Sequence, residues 1–328
     1  MKLNVPDNEL LKEHLSKVFL KDNPALTELN ILYRNEAEHN GTFYAEIITC
    51  KFKDGQDIKV RCKYMTGDEN NQEGRHRGGV IYEARAYEYL FQQSQLSIAH
   101  YYGHFLIEST NVYGLVLQYI EGAMNLNQAP YPEGLEKASY WIGFAHSFFE
   151  NKNTHLINKY NQDYYKNWAT NVLNISSGLK GSHPWLCDIA TFFIGNIQHL
   201  VNVDQTLVHG EYYPNNILYK NVAVYPVDWE SAAFGAGEID LASLTEGYGE
   251  RDIERVVKIY TDVRWPGCHM HANNQFVQRL NVARLYFHMR WIGRYPSIDG
   301  WESNAEKMSK LLKRLNNLKQ LSLQLNFN

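Results

Sequence analysis

Leu207–Leu218 reads LVHGEYYPNNIL, and Val224–Leu241 reads VYPVDWESAAFGAGEIDL. A short apolar run, Thr206–Val208, delivers His209-Gly210 into a turn, and the Glu211 carboxylate sits at that turn. Five residues on stands the side-chain amide of Asn216; twelve further on, a second apolar run, Ala223–Val227, ends at Asp228. Two short strands whose ends meet bring a carboxylate, an amide oxygen and a second carboxylate to one place. Hard oxygen donors of this kind suit Mg²⁺ held jointly with substrate phosphates. A carboxylate placed to receive a proton completes the set that phosphoryl transfer requires.

Local charge agrees. Residues 221–250 contain no Lys or Arg but six acids, Asp228, Glu230, Glu238, Asp240, Glu246 and Glu250. Such a concentration calls for a cationic counterpart, metal or substrate. An acidic solvated loop does not explain why Asp228 closes an apolar strand pattern. Absences narrow the chemistry further. No Gly is followed by Lys, which rules out a Walker A loop, and GxGxxG, HExxH and GxSxG are missing. Cys268, His269 and His271 place three potential ligands within four residues, without a partner pair, and read better as packing or surface residues than as a metal site.

The chain has 328 residues, which at about 150 per domain gives two domains or lobes. Its 44% hydrophobic and 21% charged residues are ordinary globular values and exclude a disordered or collagen-like chain. A net charge of -4 argues against a nucleic-acid partner. No apolar run is long enough for a membrane helix, so no membrane partner is expected. The start, MKLNVPDNELLKEHL, has acids where a secretion signal needs an apolar centre. Cys50, Cys62, Cys187 and Cys268 form neither a CxxC pair nor a dense disulfide framework, so a reducing, cytoplasmic setting is expected.

Residues 6–20 read as a helix, with Leu10, Leu11, Leu15, Val18 and Phe19 on one face and Asp7 as N-cap. Strands follow at 30–38, 42–52 and 57–64, joined by the turns His39-Asn40-Gly41 and Lys53-Asp54-Gly55. In the last, Ile58, Val60, Cys62 and Tyr64 face one side, and Lys59, Arg61 and Lys63 the other. A polar loop, 66–79, leads to a helix at 80–93; a strand at 112–120 is broken by Glu121-Gly122; helical patterns fill 133–202 and 250–325. A small sheet-plus-helix lobe thus precedes a larger helical one.

The stretches quoted first resemble the catalytic and metal-binding segments of the aminoglycoside phosphotransferase family, relatives of choline kinase and of protein kinases. That family's pattern is roughly apolar-apolar-His-Gly-Asp-x-x-x-x-Asn, then apolar-apolar-Asp-Trp/Phe-Glu. His209, Gly210, Pro214, Asn216, Asp228, Trp229 and Glu230 match it, and Asp240-Leu241-Ala242 resembles a later, mainly structural Asp-Leu-Ala. The resemblance spans about 30–250 and implies a two-lobed, protein-kinase-like α+β fold. The N-lobe would be 1–120 and bind nucleotide; the helical C-lobe would be 121–328, with catalytic and metal segments at 206–242.

By the same resemblance, the co-substrate is ATP or GTP, and Asn216 and Asp228 hold Mg²⁺. Lys63, at a strand end before the aromatic Tyr64, binds nucleotide phosphates, although Lys59 and Arg61 share its strand face. Glu83 is its orienting partner, with Glu88 the alternative. Leu115–Gly122 resembles the hinge, whose backbone at Gln118, Tyr119 and Ile120 would hydrogen-bond the adenine edge. The turn His39–Gly41 is a candidate phosphate-covering loop or an ordinary hairpin turn. Arg75, His76 and Arg77 form a basic run, read as solvated or as a phosphate contact.

One position departs from the pattern: the catalytic carboxylate, usually Asp, is Glu211. Glu is one methylene longer and only about 0.4 units weaker as an acid. Either the acceptor sits further back, or the backbone is displaced, or transfer has been lost; the intact metal positions favour the first. The activity implied is transfer of a γ-phosphate to a hydroxyl of a small-molecule acceptor. Candidate acceptors are aminoglycosides, choline or ethanolamine, amino-acid hydroxyls, sugars and antibiotic-like natural products. Acids at 230, 246, 250 and 252 lean towards a cationic or sugar-like acceptor, the many Tyr and Trp allow an aromatic one equally well, and His269, His271, His288, Arg284 and Arg290 suit an anionic one. A nucleotide-binding regulator without transfer and a transferase of another group, such as a nucleotidyl group, are the alternatives.

Overall fold

Period-two alternation in the first third of the chain builds an antiparallel sheet. The computed structural model describes residues 5–22, 28–37, 43–67, 76–92, 94–152, 154–179, 182–297, 301 and 303–325. Strands β1 (Leu29–Glu36), β2 (Ala45–Phe52), β3 (Asp57–Thr66), β4 (Tyr101–Ile107) and β5 (Val112–Gln118) pair in the order β1-β2-β3-β5-β4. Four of these occupy the expected stretches. The fifth, β4, escaped the sequence reading because its pattern YYGHFLI carries Gly103 and His104 and its register shifts between Tyr101 and Gly103. A bulged, half-exposed strand shows little alternation.

Helix α1 (Asn8–Asp22) lays Leu11, Leu15, Val18 and Phe19 on the sheet residues Ile48, Cys50, Val60, Cys62, Tyr64 and Val116. The Asp7 side chain accepts the Leu10 N–H at 2.9 Å and so satisfies an orphan donor of the first turn. Helix α2 (Gly79–Ala86) runs straight into a π-helical turn, Tyr87–Phe91, where one continuous helix over 80–93 was expected. Such turns often occur at functional sites.

The chain divides into two compact units, 1–134 with 214–232, and 135–213 with 233–328. The stretch 206–242 is therefore shared between them. In the first unit, β6 (Met124–Asn125), β8 (Ile217–Lys220) and β9 (Ala223–Pro226) make a small sheet. In the second, β7 (Thr206–Val208) pairs with β10 (Ala233–Gly235). Helices α3 (Glu133–Phe149), α4 (Gln162–Gly178), α5 (Trp185–Asn196), α6 (Gln198–Val201), α7 (Glu238–Thr245), α8 (Glu250–Arg264), α9 (Asn274–Gly293) and α10 (Ala305–Gln324) supply its bulk. Helix α9 is the hub: it packs against α4, α5, α6, α7 and α10, and its side chains are buried on nearly every face. Among the described residues no helix is long and apolar enough to cross a membrane.

The docking of α1 gives a simple test. Leu15 is fully buried whereas Leu20 is 44% exposed on the same helix. Leu15→Ala should lower the urea-unfolding free energy by about 2–5 kcal/mol, and Leu20→Ala by under about 0.5.

Candidate functional site

A tight hairpin brings Asn216 and Asp228 together. Strands β8 and β9 are joined by Asn221-Val222, whose φ values of 49° and 66° suit a primed hairpin turn. The register sets Ile217 opposite Pro226, and Val227 N–H donates to the Asn216 carbonyl at 2.9 Å. The twelve-residue spacing is thus folded back on itself at the open end of the hairpin. Asp228 itself is left-handed, with φ 66° and ψ 59°. That conformation costs about 1–2 kcal/mol in a non-glycine residue and persists only where its surroundings fix it.

Several contacts that hold the residues after Asp228 come from around α2. The Trp229 N–H donates to Glu83 Oε1 at 3.2 Å, and the Trp229 ring packs on Phe91 of the π turn with centroids 4.5 Å apart. Gly78 N–H donates to the Glu230 carbonyl at 2.7 Å, and Tyr82 Oη–H donates to the Ala232 carbonyl at 2.5 Å.

Between α2 and Asp228 lies Lys63, 4% exposed. Its Nζ donates to Glu83 Oε2 at 2.7 Å and to Asp228 Oδ1 at 2.6 Å. Burial works against the ammonium, but Asp228, Glu83 and Glu230 outweigh it and hold the lysine above its ordinary value. Glu83, not Glu88, is the acid that pairs with it; Glu88 stands half-exposed in the π turn. Lys59, on the same strand face, is exposed and pairs with Glu121 instead.

Burial also pushes the Glu230 carboxyl up to about 7, against the pull of Lys63 and Arg77. Arg77 Nε lies 3.3 Å from Glu230 Oε1, and Arg279 Nε donates to Glu238 at 2.8 Å. The acidic stretch was expected to need a metal or substrate as its counter-charge. Lys63, Arg77 and Arg279 supply much of that charge from the chain itself, from positions too distant in sequence to be seen beside the acids.

In the second unit the His209-Gly210 turn hangs from one fully buried carboxylate. Asp240 Oδ2 accepts the His209 N–H at 2.6 Å, and Oδ1 accepts the Gly210 N–H at 2.9 Å. His146 Nε2 lies 3.2 Å from Oδ2, and its Nδ1 lies 2.9 Å from the Tyr260 hydroxyl. Arg264 donates to that hydroxyl at 2.6 Å, so the hydroxyl hydrogen is assigned to His146 and the imidazole is a neutral donor to Asp240. Burial depresses the His146 pKa, with Asp240 opposing. Gly210 takes φ +79°, which a glycine adopts without strain.

The turn delivers Glu211, 3% exposed, to Arg290 of α9. Arg290 Nη1 donates to Glu211 Oε1 and to the Gly210 carbonyl, both at 3.1 Å. Burial opposes the Arg290 charge; Glu211, with Tyr286, Tyr164 and Tyr160, holds it above its ordinary value. Arg290 was read as a candidate for an anionic acceptor, but it is occupied with Glu211. The pairing spans 79 residues and has no local signature in the sequence.

Gln118, Tyr119 and Ile120 line a recess of about 400 Å³ with Glu121, Lys220, Asn221 and Tyr225. Gln118 N–H donates to the His100 carbonyl and Tyr119 N–H to the Lys59 carbonyl. Ile120 N–H has no hydrogen-bonded partner among the described residues. The turn His39–Gly41 and Arg75 lie outside the described residues. Among the described residues there is no group of three or more His, Cys, Asp or Glu placed to hold a metal.

No family model matches the chain, and no curated protein does. Solved structures do. A choline kinase from Streptococcus pneumoniae superposes with TM-score 0.60 at 13% identity, over 93% of this chain and 99% of that one. A putative fructosamine-3-kinase from Thermobifida fusca gives 0.59 at 13% identity, over 93% and 98%. A GDP complex of an aminoglycoside 2'-phosphotransferase gives 0.63 at 11% identity, over 96% and 99%. The chain has the α+β, kinase-like fold of these small-molecule kinases.

The Asp240 network predicts a pH effect. The unfolded His146 protonates below about 6.5, whereas the buried imidazole resists, so its favourable contribution is present above that value and fades as pH falls. His146→Gln should be less stable than the natural protein at pH 7.5, with the gap narrowing at pH 5.5. Urea unfolding at both values checks this; an equal gap contradicts it.

Proposed function

We propose that the protein transfers the γ-phosphoryl group of ATP or GTP to a hydroxyl of a small molecule. The observation that carries this is Lys63, buried between Glu83 and Asp228 with Asn216 across the same hairpin end. Lys63 binds the nucleotide phosphates and Glu83 orients it. The Ile120 N–H is the hinge donor best placed for an adenine edge, with Gln118 and Tyr119 shaping the recess. The nucleotide, expected on 1–120, is assigned to the whole first unit, 1–134 with 214–232, and the acceptor to the second.

Asn216 and Asp228 offer an all-oxygen donor pair that fits Mg²⁺, which supplies neutralisation of phosphate charge when bound. Glu211 receives the acceptor's hydroxyl proton as its oxygen bonds to the γ-phosphorus. The bond from that phosphorus to the β-phosphate oxygen breaks, and the nucleoside diphosphate leaves. All four cysteines are free thiols, in keeping with a cytoplasmic setting.

The acids that leaned towards a cationic acceptor no longer do so strongly. Glu230 faces Arg77, Glu246 contacts His288 and Asn317, and Glu250 and Asp252 occupy the first turn of α8. A sugar-like acceptor remains. The second reading, nucleotide binding without transfer, is favoured by the Arg290 contact on Glu211.

Mass spectrometry after incubation with ATP, Mg²⁺ and an acceptor library should show one phosphoryl group gained by a hydroxyl compound. Glu211→Gln should cut turnover by roughly 10²–10⁴ with nucleotide affinity little changed. Tight nucleotide binding with no turnover would favour the regulator; transfer of a nucleotidyl group, the third reading. Full activity in Glu211→Gln removes it as the base.

A further inference from the structure

Helices α9 and α10 carry a cluster that the transfer site does not use. Arg284 and Arg314 are both half-buried, and among the described residues neither has a hydrogen bond or ion pair within 4 Å. A guanidinium brings five N–H donors. Arg314 stacks over Trp291 at 4.8 Å and Phe287 at 5.6 Å, but such contacts contribute only about 0.5–1 kcal/mol and leave its donors without acceptors.

Glu246 is the acid whose field reaches both, yet it is engaged elsewhere. Its Oε1 accepts from Asn317 at 3.4 Å, and its Oε2 lies 3.5 Å from His288 Nε2. Burial lowers the pKa of both arginines against the opposing charge of Glu246; at Arg314, Tyr295 also opposes and Arg290 adds to the pressure. His288 sits in the field of both. It is 1% exposed, its Nδ1 has no hydrogen-bond partner, and burial with the two guanidiniums holds it down to about 3. Partly desolvated cations without acceptors are costly, and an oxyanion is the ligand whose geometry answers them.

Trp291 stands between Arg314 and the residue that holds Glu211. Trp291 lies 5.2 Å from Arg290, which holds Glu211, and 4.8 Å from Arg314. Its ring centroid is 6.4 Å from that of Tyr213, two residues beyond Glu211.

We infer that Arg284 and Arg314, on either side of the neutral His288, form an oxyanion-binding site that seats a carboxylate or phosphate group carried by the acceptor, near Glu211. The site is independent of the phosphotransfer reading; its assignment to the acceptor rests on that reading. A hydroxyl compound bearing such a group would place its anion on the arginines and its hydroxyl at the Glu211 carboxylate. Neutral polyols and ammonium compounds would lack this anchor.

Two experiments separate the claims. Inorganic phosphate titrated calorimetrically into the full chain at low salt should bind saturably. Arg314→Gln and Arg284→Gln should each weaken it at least about tenfold, and Arg314→Lys, which keeps the charge, should weaken it less. No saturable binding, or binding in both Gln variants as tight as in the natural protein, overturns the site.

Phosphoryl transfer from labelled ATP is then compared for gluconate against glucose and glycerate against glycerol. The acid of each pair should be preferred, with Arg314→Gln raising its KM about tenfold or more and leaving that of the neutral partner unchanged. Phosphate binding without discrimination between partners overturns the acceptor assignment, the site then serving a free anion. Phosphate binding with no transfer to any compound leaves the site standing and strikes the phosphotransfer reading.

Discussion

A lysine ammonium 4% exposed cannot remain charged without close partners, and satisfying Lys63 ties together three segments. Strand β3 supplies the cation, α2 supplies Glu83 twenty residues later, and the β8–β9 hairpin supplies Asp228 after 165 residues. Removing one member of a buried pair typically costs about 3–5 kcal/mol, against about 0–1 for an exposed pair such as Lys17–Glu13. The left-handed backbone at Asp228 and the packing of Trp229 on the π turn follow from the same demand. The constraint sets a buried ammonium between two carboxylates at the hairpin end that also carries Asn216.

The second unit uses the same physics on its own turn. Asp240 is buried and satisfied by two backbone N–H groups and an imidazole, so the His209-Gly210 turn has one stable arrangement. Arg290 then limits where the Glu211 carboxylate can go. Where the family pattern has the shorter Asp, this chain combines a longer carboxylate with a guanidinium clamp. Glu211 is therefore positioned rather than loose, which bears on whether it can serve as a base.

Much of the fold was legible because local chemistry dictates it. Asp7 caps α1, the alternation in β3 separates Tyr64 from Lys63, and the order of motifs from His209 to Asp228 matches a kinase-like chain. Strand β4 was not legible, since a bulge and exposed positions erase its period. The π turn after α2 was also missed, because Tyr87–Phe91 keeps the composition of an ordinary helix. The candidate residues of the site lay in the motifs, but their partners did not. Lys63, Arg77 and Arg279 meet acids of the 221–250 run, and Arg290 meets Glu211, only through tertiary folding, so part of the counter-charge that the run calls for comes from the chain itself. Arg284 and His288 stood among the residues suited to an anionic acceptor, but that Arg284 and Arg314 have no hydrogen-bonded partner among the described residues is a property of the folded chain.

The central claim is that the Lys63 pocket receives nucleotide phosphates. Calorimetric titration of the magnesium complexes of ADP and GDP into the natural protein, Lys63→Met and Lys59→Met tests it most directly. The account predicts saturable binding of at least one nucleotide, weakened about tenfold or more in Lys63→Met and unchanged in Lys59→Met. Equal affinity in the natural protein and a folded Lys63→Met would contradict it.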